Sequence, residues 1–436
     1  MCEKNGLKAG FAKIDITPDF QVGLGGYSNA ETRRSEGIAE RIYASCIALT
    51  DGGETILIYT SDNCACNHDT AEKIRGAVTA ATGIAGEKIF CSATHSHSCP
   101  AMTGHPEAEQ YTQLLLNACA EGAQKALDDR APATVMAVKK RIPGMNFVRH
   151  FELADGTVVG RNFRRFESPV VGFAGPTDDE MILVKFAREE KKDILLVNWQ
   201  GHPDCGRQIG HAMIAPSYVG PLRDTLAVGS GMEVAYFTGA DGNLVINSML
   251  PEYAHGLDWR RYGVKMATLA LDALEDMQEV EGSGIRTARA MVEVEIDHSW
   301  DHMLEQANEV YTLWKATDRP TGDEYGKRYG FSSVYQSRAI RTRYQMPKTT
   351  ELEINAFRVG GVGFTTGTYE MFSDSGIHLK ARSPYDVTMV LTGNSGYIPS
   401  ERAHANRCYE SDTGLFAKGA AEVLVDKYVE LLKKIQ

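Results

Sequence analysis

The chain has 436 residues, 43% hydrophobic and 24% charged, an ordinary globular balance with enough length for a large core or two domains. A formal net charge of -11 at pH 7 without any dense lysine or arginine run speaks against nucleic acid and anionic membrane surfaces as dominant partners. No run approaches the roughly 18 apolar residues of a membrane-spanning helix, and Met1 to Leu7 lacks the apolar core of a signal peptide, so the chain reads as cytoplasmic. Nine cysteines spread from Cys2 to Cys408 without a repeated spacing fit free thiols in a reducing compartment better than a disulfide framework.

Short β-branched runs alternate with longer helical patterns along the chain, the mark of an α/β or mixed α+β domain. In order, the predicted elements are strands over Cys46–Leu49 and Thr55–Tyr59, a helix over Asp69–Ala81, a strand over Lys88–Ala93 and a helix over Pro106–Ala126. Strands over Met181–Val184 and Ile194–Val197 follow, then a helix over Tyr218–Leu226, a strand over Val234–Phe237 and helices over Trp259–Met277 and Asp301–Ala316. A strand over Val387–Val390 and an amphipathic helix within Gly414–Lys434 close the series. Several strands are apolar on both faces, as in a buried central sheet. With no linker or repeat in view, residues 1–436 read as one domain with a central mixed sheet flanked by helices. Asp318–Pro347, rich in Gly, Arg and Tyr, reads as an irregular lid or substrate loop.

Chemistry gathers at predicted strand ends. Thr94-His95-Ser96-His97-Ser98 follows one strand, and His95 and His97, two apart, share a face if the segment stays extended. One can then ligate a metal while the other handles protons. His202 follows Leu196–Trp199, the glycine turn Gly239–Asn243 follows Val234–Phe237, Glu370 follows Val362–Gly367, and Tyr397 follows Val390–Gly396. In α/β sheets the carboxyl ends of strands are where ligands bind, so these side chains are expected in one cleft. Two histidines and a carboxylate form a common catalytic zinc set that leaves a position for water. Taken singly, each residue also has a plain structural reading: His202 as a strand-end cap, Glu370 as a charge at a helix N-terminus, Tyr397 as a turn aromatic.

On these motifs the chain resembles the catalytic domain of the neutral/alkaline non-lysosomal ceramidases. Ala9-Gly10-Phe11-Ala12-Lys13-Ile14-Asp15-Ile16-Thr17-Pro18 is similar to the family's opening, and Ala93–Ser98 to its Thr-His-Thr-His-Ser signature. The resemblance runs in order to Gly396-Tyr397-Ile398-Pro399-Ser400. It implies a zinc amidase acting on N-acyl sphingoid bases, with zinc held by His95, His202, Glu370 and Tyr397. It also implies a polar ring of His97, Arg149 and Tyr409 around the reacting carbonyl, in which His97 moves the proton from water to the leaving nitrogen.

The departures from the family pattern are specific. Its Gly-Asp-Val-Ser-Pro-Asn turn is met here by Gly239-Ala240-Asp241-Gly242-Asn243, without the serine, and its Pro-Gly-Glu-x-Phe by Gly367-Thr368-Tyr369-Glu370-Met371-Phe372. The sequence ends soon after the tyrosine motif, so no immunoglobulin-like C-terminal domain is expected. The expected protein is a zinc-dependent hydrolase of a small-molecule amide, ceramide-like or polar or anionic, with the arginines of Asp318–Pro347 facing substrate. Rivals are a metal-dependent lactonase or carboxylesterase, a thiol enzyme using Cys99 or Cys205, and a non-catalytic sugar- or lipid-binding protein on a hydrolase fold.

Overall fold

The computed structural model describes residues 6–27, 30–160, 168–246, 258–317 and 319–436. Eight strands build the larger sheet: β1 (Lys8–Asp15), β2 (Tyr43–Asp51), β3 (Glu54–Ser61), β4 (Ile89–Ala93), β5 (Ala131–Arg141), β6 (Glu180–Arg188), β7 (Ile194–Trp199) and β8 (Glu233–Thr238). Their order is β8-β7-β6-β5-β1-β2-β3-β4, and Gln278–Glu279 adds a ninth, short strand beside β5. A second sheet holds β9 (Ile285–Glu295), β10 (Thr349–Val359), β11 (Val362–Gly367) and β12 (Val387–Thr392) in sequence order. The fold is the expected mixed α/β arrangement, and every strand predicted from β-branched runs is present.

Three strand pairs are parallel: β3 with β4, β7 with β8, and β11 with β12. Parallel neighbours need a crossover, usually a helix, and the chain supplies one each time. These are α1 (His68–Thr82), α3 (Val219–Ser230) and α8 (Ser373–Arg382); the remaining long helices are α2 (Ala108–Asp128), α4 (Trp259–Leu274), α5 (Leu304–Ala316), α6 (Arg319–Lys327), α7 (Val334–Tyr344) and α9 (Ala420–Lys434). In α1 the Asn67 side chain accepts from Thr70 N at the start, and Gly83 ends the helix in the left-handed conformation. Its buried Ala71, Ile74 and Val78 lie three and four apart, which turns one stripe to the sheet.

Helices α1 and α2 cover one half of the larger sheet, through Ile74, Val78, Tyr111 and Leu115 packed on Ala44, Cys46 and Leu57. Helices α3 and α4 cover the other half, through Leu222, Leu226, Tyr262 and Met266 packed on Leu195, Val197 and Tyr236. The opposite face packs on the second sheet in a dry layer that includes Ile58, Phe90, Val184, Phe237, Phe357, Phe364 and Leu391. Ring centroids of Phe90 and Phe357 are 4.2 Å apart, and those of Phe357 and Phe364 are 4.7 Å apart.

Polar side chains stitch the sheets where the parallel strands end. Thr60 Oγ1 donates to Tyr236 O and Thr238 Oγ1 to Thr94 O, which holds the two ends of the larger sheet against each other. Asn198 Nδ2 reaches Phe237 O and Val390 O, and Thr392 Oγ1 lies within 3.2 Å of both Thr238 O and Gly239 O.

The Asp318–Pro347 segment departs from its expected irregular character. From Arg319 on it forms α6 and α7, which pack with α5 around Ala307, Val310, Phe331, Val334 and Ile340; Asp318 lies outside the described residues. The apolar residues of this stretch are spaced sparsely among Arg, Tyr and Gly, which hid the helical period. Among the described residues no helix is long and apolar enough to cross a membrane.

Because Phe357 is fully buried and stacked on two rings, Phe357→Ala is expected to cost about 3–5 kcal/mol. Denaturant midpoints of the variant and the wild type measure this, and a loss below about 1 kcal/mol would show the layer between the sheets to be loosely packed.

Candidate metal centre

Each of the three crossovers delivers its strand ends to one place. His95 follows β4, His202 follows β7, Asp241 follows β8, Glu370 follows β11 and Tyr397 follows β12. Glu370–Met371 and Tyr397–Ile398 form a separate two-stranded parallel ladder just beyond β11 and β12, with Glu370 opposite Tyr397, so carboxylate and phenol stand side by side. The ligand atoms of His95, His202 and Glu370 lie within 4.8 Å of one another, and all three residues are buried. His95 Nε2 is 3.0 Å from His202 Nε2 and 3.6 Å from Glu370 Oε2.

His97 joins them by a route that strand alternation does not describe. The strand has ended at Ala93, and His95 takes a left-handed φ of 65°, a conformation uncommon outside glycine. The turn swings both rings inward, leaving His97 Nε2 3.1 Å from His202 Nε2 and 3.5 Å from His95 Nε2. The His97 ring packs against Gly26, where a Cβ would overlap it, and lies edge-on to Tyr27.

An acceptor faces the other nitrogen of each imidazole, within hydrogen-bond reach only at His95. Nδ1 of His95 meets Cys64 O, Nδ1 of His202 is 3.4 Å from Asp241 Oδ2, and Nδ1 of His97 is 3.6 Å from Asp204 Oδ1. Tyr27 OH in turn donates to Asp204. The Cys64 carbonyl orients the His95 ring with Nδ1 toward it and Nε2 toward the site. Burial pushes the imidazoles toward the neutral form. It holds His97 down to about 3 and, with the neighbouring His95 and His97 charges, His202 well below its ordinary value. At His95 burial acts the same way but is outweighed by the charge of Glu370, which raises it well above the usual range.

The donor set fits a cation. Glu370 Oε2 is buried and has no hydrogen-bond partner, and an isolated buried carboxylate is costly without a compensating charge. Nitrogen and carboxylate donors of this kind suit zinc and other borderline divalent ions. Burial and then Glu370 hold the Tyr397 phenol well above its ordinary pKa; a bound cation reverses that electrostatic balance.

Arg149 reaches the site because Asn146–Val148 pairs with Leu244–Ile246. Its guanidinium lies over the Tyr397 ring at 5.4 Å, donates to Gly242 O and pairs with Glu410 at 2.5 Å. The second oxygen of Glu410 is 2.7 Å from His150 Nε2. Tyr409 opens a short helix, Tyr409–Thr413, with its ring 6.4 Å from that of Tyr397 and 6.2 Å from that of Tyr335 on α7. All seven residues singled out in the sequence thus surround one centre.

The glycine turn resolves into two jobs. Asn243 Oδ1 accepts from Ser373 N at the start of α8, while Asp241, fully buried, faces His202 and is pushed up to about 7 by burial. Gly242 passes so close to the Glu370 backbone that a Cβ there would come within 2.9 Å of Glu370 O. Two of the α7 arginines are engaged elsewhere: Arg341 bonds Asn308 and covers the Tyr311 ring, and Arg343 is buried on Asp297 and Gly414 O. Tyr335 is the α7 side chain that reaches Tyr409. Cys99 points its thiol at Ala215 O, 3.4 Å away, and burial raises it well above its ordinary pKa, which works against the thiolate a nucleophile needs. Glu410, His150, Asp204 and Tyr27 were missed in the sequence; Glu410 and Asp204 lie within two residues of Tyr409 and His202, and Tyr27 has no local signal.

Residues 7–203 match the sequence family described as neutral/alkaline non-lysosomal ceramidase, N-terminal. No curated protein matches the chain. Among solved structures it is similar to the neutral ceramidase from Pseudomonas aeruginosa, with a TM-score of 0.74 and 16% identity over 99% of this chain and 75% of that one. A structure described as ceramidase complexed with C2 is similar at a TM-score of 0.73 and 15% identity, over 99% of this chain and 76% of that one. The family resemblance read from the sequence is borne out, and the solved structures share the fold.

Burial raises the Glu410 carboxyl, but Arg149 and then His150 overcome this and hold it at about 2. Because the folded value lies below the ordinary 4.5, the charged pairing contributes stability above that pH and loses it as pH falls through about 2. Glu410→Gln is therefore expected to be less stable than the wild type at pH 7, with the gap narrowing below pH 4.5. Denaturant midpoints across that range test this; a gap independent of pH would remove the charge from the explanation.

Proposed function

We propose that this chain, whose residues 7–203 match the neutral/alkaline non-lysosomal ceramidase family, is a zinc-dependent amidohydrolase that cleaves the N-acyl bond of a ceramide-like or smaller polar substrate. The carrying observation is the convergence of His95, His202 and Glu370 within 4.8 Å in a buried site at the strand ends. Family and fold imply a hydrolase of amide bonds. His95, His202, Glu370 and Tyr397 would hold the ion. When bound, zinc acidifies water and polarises a carbonyl oxygen.

The chain's own residues supply the rest. Arg149, fixed by Glu410 and Gly242 O, and the Tyr409 phenol offer donors to the oxygen that becomes negative as the carbonyl is attacked. A good donor of this kind is worth about 3 kcal/mol. His97, backed by Asp204, takes the proton from the attacking water and returns it to the leaving nitrogen. Asp241 keeps the His202 ring in place in the turn where the family carries a serine. Tyr27, Asp204, Tyr335 and Tyr409 make the surroundings polar, which favours a substrate smaller and more polar than a long-chain lipid. The eight described cysteines are free, in keeping with a reducing, cytoplasmic setting.

Elemental analysis of the purified protein is expected to give about one zinc per chain, the load of a mononuclear catalytic site, lost in the double variant His95→Ala, His202→Ala. Parallel assays of N-acyl amides, esters and lactones should show amide hydrolysis that a chelator abolishes; preference for lactones or esters would reassign the bond, and retention of ligand without turnover in the zinc-loaded protein would sink the enzyme reading. Tyr409→Phe should lower kcat about 100-fold, the size of one lost oxyanion donor, with metal content and melting temperature unchanged. An unaltered kcat would take Tyr409 out of the reaction.

A further inference from the structure

A second group of metal-binding side chains is built around Glu410, the counter-ion of Arg149, and shares no residue with the centre at the strand ends. His150, Cys408 and Glu410 are all buried, and one donor atom of each lies within 4.8 Å of the others. They meet because His150 opens the strand His150–Leu153 while Cys408 and Glu410 flank Tyr409 at the start of its short helix. His150 Nε2 stands 2.7 Å from Glu410 Oε2, and the other carboxylate oxygen faces Arg149. The Cys408 thiol makes a 3.6 Å contact with Ser411 Oγ, a hydroxyl that itself donates to Cys408 O, so the sulfur is weakly engaged.

A thiol, an imidazole and a carboxylate are the donors that zinc and softer divalent ions select. Zinc bonds of about 2.0–2.2 Å to nitrogen and oxygen put neighbouring donors roughly 3.3 Å apart in a tetrahedral site, so the His150–Glu410 pair has to open by about 0.6 Å from 2.7 Å. Three protein donors leave the fourth position to water. Arg149, 2.5 Å from Glu410 Oε1, already gives the carboxylate a positive neighbour, so an ion held by oxygen alone gains little here. The sulfur decides the class of ion, because a thiolate brings negative charge that Arg149 does not neutralise.

We propose that His150, Cys408 and Glu410 form a second metal site, for a soft divalent ion of the zinc and cadmium class, which competes with Arg149 for Glu410. As the metal–sulfur bond forms, the Cys408 proton passes to solvent, and the Nε2 proton of His150 moves to Nδ1 and frees the lone pair that binds. Glu410 then answers to two cations. Arg149 keeps its bond to Gly242 O and its place over the Tyr397 ring but shares its counter-charge with the ion. The inference stands on these three side chains and not on the occupancy of the strand-end centre.

Cadmium titration of the purified full chain, followed by the ultraviolet cadmium–thiolate charge-transfer band, tests this. One tight thiolate band is expected. It should persist in the double variant His95→Ala, His202→Ala and in Cys64→Ser, whose thiol groups with His95 and His97, and be lost in Cys408→Ser. His150→Gln should weaken cadmium at this band at least about 10-fold, the lower end of what even an outer-shell partner of a metal costs, and Arg149→Met should strengthen it. Melting temperatures show which variants fold; if Cys408→Ser does not, the His150→Gln affinity decides. A band that survives in folded Cys408→Ser, that vanishes with Cys64 or with the two strand-end histidines, or that His150→Gln leaves unchanged would overturn the inference. Cadmium bound without a thiolate band would overturn it too and leave the strand-end centre standing, while binding no tighter in Arg149→Met would overturn the competition for Glu410.

Discussion

Glu370 is buried with an oxygen that accepts no hydrogen bond, 3.6 Å from His95 Nε2 and grouped with His95 and His202. Such an arrangement is unfavourable in a dry interior unless positive charge occupies it, and the surrounding structure is organised to hold it. His95 and His202 come from the larger sheet and Glu370 from the second, so the two sheets must dock in one register for the charge to be shared. The threonine and asparagine bonds at the strand ends provide that register. The aromatic layer of Phe90, Phe357 and Phe364 lies between the same two sheets, so packing and site chemistry are set by one docking geometry.

The Arg149 guanidinium illustrates a related economy. A buried cation beside a metal centre would repel the ion, but Glu410 neutralises it and His150 braces the carboxylate from its other oxygen. Arg149 therefore acts as an oriented donor more than as a free charge, with its position fixed further by Gly242 O and the Tyr397 ring. Glu410 is adjacent to Tyr409, which places the counter-ion of Arg149 and a ring packed on Tyr397 on one short helix.

The legibility of the molecule in its sequence followed the range of the interactions. Strands such as Ile194–Trp199 are uniformly apolar and bounded by turns, and periodicity alone locates them. Histidines, glutamate and tyrosine immediately after such strands carry a positional signal, because strand ends are where α/β folds bind ligands. Helices α6 and α7 were read as an irregular segment since their polar and aromatic composition blurs the helical repeat; their packing on α5 decides them. The roles of Asp204, Tyr27 and His150 depend on neighbours between 70 and 260 residues away, and no local pattern encodes such contacts. Even the convergence of His95 and His97, expected from alternation, is achieved through a left-handed residue after the strand has ended.

The stitching side chains Thr238, Thr392 and Asn198 bond to main-chain carbonyls, yet they align the halves of the centre. A methyl group's worth of slippage there would leave the core buried and the melting curve nearly intact while pulling a carboxylate away from its nitrogens. In a population of natural variants, lesions at these positions would masquerade as damage to the reactive groups themselves. Functional loss in this architecture is thus a sensitive gauge of sheet alignment, and thermal stability a blunt one.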